Sequence, residues 1–198
     1  MKIRAWMGIA VFAVATVLIG TDVLSQEDKD KVDPMMAKMM EAAAPGEFHK
    51  HLQPLIGKWN TTTKYWFTQE APPEESTGSV DRKWILGGRF VSEDYRGTAM
   101  GQPFSGFGLM GYDNIQKKYD TVWIDTMGTG VFTQSGSCDD SGKNFTFSGK
   151  NLNPMTGQKE WGKTTLKIIN NDKHVLKMFE KGTDGKDFLK LEIVATRK

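Results

Sequence analysis

From Gly57 to the C-terminus, turn signals recur about every ten residues, and apolar and polar residues alternate between them. A two-residue period sends successive side chains to opposite faces, so this stretch has to form strands with two unlike sides. The pattern predicts strands at 58–67, 78–86, 88–97, 104–113, 118–126, 130–137, 143–150, 160–169, 173–181 and 186–196. Their connections carry turn chemistry: Asp113-Asn114, Asp140-Ser141-Gly142, Asn153-Pro154-Met155-Thr156-Gly157, Asn170-Asn171-Asp172 and Thr183-Asp184-Gly185. No helical period interrupts them, which excludes parallel βαβ units. The fold class is therefore mainly β. An antiparallel meander of about eight to ten strands closes most easily into a barrel, because closure removes the exposed edges. A β-sandwich is the alternative.

The chain ahead of these strands reads differently. Residues 1–25 carry Lys2 and Arg4, an apolar run from Ala5 to Ile19, and Val23-Leu24-Ser25 ahead of Gln26. This is the pattern of a secretory signal peptide, and it predicts an exported, periplasmic or extracellular protein. A retained anchor is the rival reading, but a bilayer span needs about 20 apolar residues. Cleavage would leave no membrane segment in the mature form. The segment 26–54 is predicted as a linker with two short helices, and 55–198 as the barrel domain. Asp33-Pro34 marks the first helix start, with Asp as N-cap and Pro at the first helical position. MMAKMMEAAA follows, and Pro45-Gly46 ends it. The second helix is predicted from about Glu47 to Leu52. Met35, Met36, Met39 and Met40 sit at helical spacing. An apolar face over the barrel accounts for them better than a metal-loading role, which would call for other soft ligands.

Composition removes several classes of function. The formal net charge is +2, with 26 Lys+Arg against 24 Asp+Glu, so there is no basic footprint for nucleic acid. A single cysteine, Cys138, excludes an internal disulfide and a cysteine-rich zinc site. Its neighbours Asp139 and Asp140 raise a thiol pKa, so Cys138 is not an activated nucleophile. No G-x-S-x-G and no H-E-x-x-H occurs. His49 and His51 stand at i, i+2 in a predicted helix and cannot form one clamp. No metal is expected. His174 opens a late strand; pointed inward it could bind haem iron, whereas Asn171-Asp172-Lys173 before it suggest a solvated side chain at a turn.

The strands hold the candidate ligand residues. Tyr119, Thr121, Trp123 and Asp125 share one face. Trp123 beside Asp125 reads either as a pocket wall or as a strand end where Asp125 caps the loop 126–130. Paired glycines in WILGGRF (84–90) predict a hairpin bend. Arg89 next to them is either an inward partner for a carboxylate such as Asp125 or a solvated side chain. Tyr95, Tyr112 and Trp161 complete an aromatic set able to line a cavity. The glycines at 101, 106, 108 and 111 mark bends or close backbone approach.

Taken together, Gly57-Lys58-Trp59, WILGGRF (84–90), Gly106-Phe107 with GYDN (111–114), WIDTMGTG (123–130) and the terminal Thr196-Arg197-Lys198 resemble an uncharacterised bacterial exported family. It is known as a domain of unknown function and is placed with the calycins, the lipocalin-like barrels. The similarity covers about residues 35–198. It implies an antiparallel barrel preceded by short helices, with Trp59 plugging the closed end. Related calycins bind fatty acids, other apolar molecules or haem, and no activity is settled for the family itself. The paired cysteines of many secreted lipocalins are absent.

Three functions follow as expectations. The first is a binding barrel for a small apolar ligand, with Arg89, Tyr95, Tyr112, Trp123, Asp125 and Trp161 as ligand-binding residues. The second is a structural or interaction barrel with a filled core. The third is an enzyme using Asp125 as acid/base and Arg89 as anion holder. No catalytic residue is assigned, and the oligomeric state has no signature in the sequence.

Overall fold

The computed structural model describes residues 33–152, 156–182 and 184–198. The signal-peptide reading (1–25), the charged stretch 27–31 and the turn residues Asn153, Pro154, Met155 and Thr183 lie outside the described residues.

Helix α1 (Pro34–Ala43) begins at Asp33, whose carboxylate accepts the Met35 N–H at 2.8 Å. The chain up to Lys38 forms one unit, and Met39 onward forms a second that holds the barrel. Met39 and Met40 remain 59% and 63% exposed, against the expectation that they cover an apolar patch. The end of α1 is tied instead by Asn114, whose side-chain amide donates to the Ala42 and Ala44 carbonyls at 2.9 and 2.8 Å. Helix α2 (Glu47–Lys50) is shorter than expected, and a 3-10 turn (Gln53–Leu55) replaces its end because Pro54 cannot donate a helical hydrogen bond.

Ten strands follow: β1 (Gly57–Tyr65), β2 (Glu74–Ile85), β3 (Phe90–Ala99), β4 (Gln102–Asp113), β5 (Lys118–Asp125), β6 (Phe132–Cys138), β7 (Asn144–Leu152), β8 (Lys159–Asn170), β9 (Lys173–Lys181) and β10 (Asp187–Arg197). Each pairs antiparallel with its neighbour in sequence, and β10 pairs with β1. The ring is closed, so the sandwich alternative is excluded. Register sets the sides of the wall. Trp59 faces Val80 on β2 and Arg197 on β10; Thr61 and Thr63 follow it on the inner face, while Lys58, Asn60 and Thr62 point to solvent.

Turn residues fix that register. Met100-Gly101 (φ 50° and 70°) make the two-residue hairpin turn between β3 and β4, in the left-handed conformation such turns need. The β2–β3 connection takes four residues rather than two, with Leu86, Gly87 and Gly88 all at positive φ.

The core lies at the end of the barrel beneath α2. Leu52, Leu55, Val91, Tyr119, Phe145, Phe147, Leu166 and Ile168 form one buried cluster; Trp59, Val80, Tyr95 and Ala195 form another. The α2 segment is pinned by its own side chains. The Tyr119 hydroxyl donates to the Phe48 carbonyl at 2.8 Å, so at 2.9 Å it accepts the His51 Nδ1–H.

Candidate functional site

The two ends of the barrel are built differently. At the α2 end the interior is filled. Trp59 is 0% exposed; its indole N–H donates to the Leu55 carbonyl at 2.9 Å, and its ring meets His174 edge-on at 4.4 Å. The Arg197 guanidinium lies over the indole, 4.2 Å from the ring centre.

Against Trp59, through His174, lies a polar cluster. Arg82 on β2 donates Nε to Glu93 on β3 at 2.6 Å, and its Nη1 lies 2.8 Å from His174 Nε2 on β9. A guanidinium only donates, so Nε2 is the acceptor and the imidazole proton sits on Nδ1. Burial, then the charges of Arg82 and Arg197, push the His174 pKa down to about 3, so the ring is neutral at physiological pH. Arg82 and His174 are both buried.

Towards the opposite end the interior opens. Strand register places His174, Leu176, Met178 and Glu180 on the inner face of β9. Met178 sits within the strand, yet it is 41% exposed. An inward apolar side chain keeps that much surface where the open end of the barrel admits water. Phe132 on β6, opposite inward Trp123, is likewise 36% exposed. Gly149 on β7 and Gly162 on β8 pair on the inner face; a Cβ on Gly149 would collide with the Thr133 carbonyl, whereas one on Gly162 would meet no atom nearer than 3.6 Å. Beside them the Thr164 hydroxyl, on the same inner face, is buried with no hydrogen-bond partner among the described residues.

The sequence-predicted residues divide between these regions. Trp123 is inward, lying over the glycine backbone at 106 and 108, and donates Nε1–H to Asp125 at 2.7 Å. Asp125 also accepts the Met127 N–H at 2.8 Å, so it both orients the indole and caps the loop. Tyr95 is inward and buried; its ring covers Gly78 and Gly97, and its hydroxyl takes the Thr61 hydroxyl at 3.2 Å. Tyr112 stacks on Phe48 at 4.6 Å, at the filled end and away from the bore. Trp161 faces outward beneath the Lys181 ammonium at 4.8 Å, because inward Gly162 and Thr164 fix the opposite parity for residue 161. Arg89 is exposed in the β2–β3 turn, donating to the Leu86 carbonyl at 3.1 Å. That turn lies at the α2 end and Asp125 at the other, so the structure does not bring the two together. His174 is 2% exposed, not solvated at a turn.

Sequence reasoning missed Arg82, Glu93, Gly162, Thr164 and Met178. A charged pair such as Asp81-Arg82 inside a strand was a signal, since one of two neighbours must face inward. Among the described residues no three His, Cys, Asp or Glu side chains group as metal ligands. Burial and the neighbouring Asp139 push the Cys138 thiol up to about 11.

Outside the bore, a groove of about 450 Å³ runs along β3 to β5, between Arg96, Phe107 and Ile124 and the loop at Gly128–Gly130. A second, of about 360 Å³, crosses β8 to β10 between Lys167, Val175, Lys177 and Glu192.

Residues 44–197 match the model of a family described as a protein of unknown function (DUF1579). Among curated proteins none matches the sequence. The crystal structure of Rv2717c from M. tuberculosis is similar in fold, with a TM-score of 0.55 at 16% identity, over 78% of this chain and 99% of that one. A redesigned β-barrel gives 0.38 at 16% identity, over 75% of this chain and 95% of its own.

Proposed function

This chain belongs to the DUF1579 family, and we propose that its barrel binds a small, largely apolar molecule in the half of the bore remote from α2. One observation carries this reading: Met178, inward and within a regular strand, stays 41% exposed. A filled barrel would bury it, since one fully buried side chain of this size is worth about 1.5–3 kcal/mol. Trp123 and Phe132 pair on the inner face of β5 and β6, and aromatic and aliphatic walls with few polar groups are what small-molecule sites are made of.

The test uses Nile red, an uncharged apolar dye. The protein is expected to bind it at one site, with a blue-shifted emission. Gly162→Phe, which adds a ring on the inner face where a Cβ meets no atom nearer than 3.6 Å, is expected to weaken binding at least tenfold while the thermal melting point holds. Dye binding unchanged in Gly162→Phe would place the dye on an outer groove and remove the bore from the argument.

A further inference from the structure

The charges facing the bore set the class of molecule it accepts. Three cationic side chains face the interior among the described residues, and each already has partners. Arg82 is held by Glu93 at 2.6 Å and by His174. Arg197 lies beneath Trp59 at the filled end, donates to the Asn171, Ile56 and Pro54 carbonyls, and pairs with Asp172 at 3.3 Å. Lys190 stands at the β10 bulge, where its ammonium donates to the Phe67 carbonyl at 3.3 Å, lies 3.7 Å from Glu180, and sits 5.2 and 5.8 Å from the rings of Tyr65 and Phe188. The other inward charges towards the open end, Glu74, Asp125, Glu160 and Glu180, are carboxylates.

An anionic head group entering this bore would meet carboxylates and occupied cations. Burying an unpaired carboxylate is costly, and taking Arg82 from Glu93 would only transfer the unpaired charge. An uncharged polar group meets something different. Thr164 stands on the inner face, and its hydroxyl is buried with no partner among the described residues, while a hydroxyl can donate one hydrogen bond and accept two. Met178 stands directly across the β8–β9 pair from it.

Resting on the ligand-binding reading above, we infer that the bore selects uncharged long-chain molecules bearing a hydroxyl or carbonyl, such as fatty alcohols or esters, against fatty-acid anions. Thr164 is the residue that receives the ligand's polar group. Among the described residues the bore offers an anion no free cation.

The experiment compares 1-dodecanol with dodecanoate at pH 7.5 on the full chain, by displacement of Nile red and by calorimetry. Dodecanol is expected to bind at least tenfold more tightly. As the pH falls and dodecanoic acid takes up its proton, its affinity is expected to approach that of the alcohol. Thr164→Val, close in shape, is expected to keep the melting point of the parent protein and to lose about tenfold for dodecanol by calorimetry. Dodecanoate binding as tightly as dodecanol at pH 7.5 would overturn this inference and leave the ligand-binding reading standing. If Nile red, dodecanol and dodecanoate all fail to bind, both are overturned. Full dodecanol affinity in Thr164→Val removes Thr164 from the role.

Discussion

His174 shows how one side chain couples the fold to pH. Its ordinary pKa of 6.5 falls to about 3 in the folded protein, through burial first and then the charges of Arg82 and Arg197. Between those values the unfolded chain binds the proton and the folded one does not, so stability rises with pH across this window. The contribution is complete above about 6.5 and is lost as pH falls towards 3. Urea unfolding at pH 7.5 and 4.5 is expected to show a loss of about 2 kcal/mol from this group. His174→Gln, which can still accept from Arg82, is expected to remove at least half of the total loss. His49, held below its ordinary value by burial and then by Arg89, pulls in the same direction and remains in the variant. Equal pH slopes in the two proteins would refute the assignment. The preceding Asn171-Asp172-Lys173 correctly marks a turn, but a turn says nothing about the face on which the next strand starts. Pairing of His174 with inward Ala195 decides that, and it is a long-range contact.

At the level of strands, glycine does two opposite things on the inner face. At Gly106 a side chain would fall on the Trp123 indole, whereas at Gly162 a Cβ would make only ordinary contact, with Gln134 at 3.6 Å. Gly106→Ala is therefore expected to cost about 1–3 kcal/mol through overpacking, and Gly162→Ala to stay within about 0.5 kcal/mol. Thermal melts of the two variants check this, and similar losses would mean that the bore is closed at Gly162. The glycines in β4 were legible as close-approach positions; which of them make room was not, because that depends on the neighbouring strand. The same limit explains Arg89 and Trp161. Alternation gives two faces per strand but does not say which is inner unless one is plainly apolar. In β8, Trp161 is outward while Gly162 and Thr164 are inward, reversing the polarity a reader of the strand would choose. The Trp123–Asp125 pair was readable because both residues lie two apart on one short strand.

For the molecule as a whole, ten strands and their order followed from turn spacing, and the barrel followed from the need to hide edges. What spacing could not supply is the seam, the pairing of β1 with β10 through Trp59–Arg197, Thr61–Ala195 and Thr63–Ile193. Removing β10 opens the ring on two sides and uncovers Trp59. A chain ending before Asp187 is expected to lose cooperative melting and to aggregate, as read by calorimetry and light scattering; a sharp transition in that truncated chain would contradict the closed-ring account. The seam also sets a schedule. The first strand built by the ribosome waits for β10, so until β10 has been made the polypeptide keeps two unsatisfied margins and stays open to capture by a chaperone.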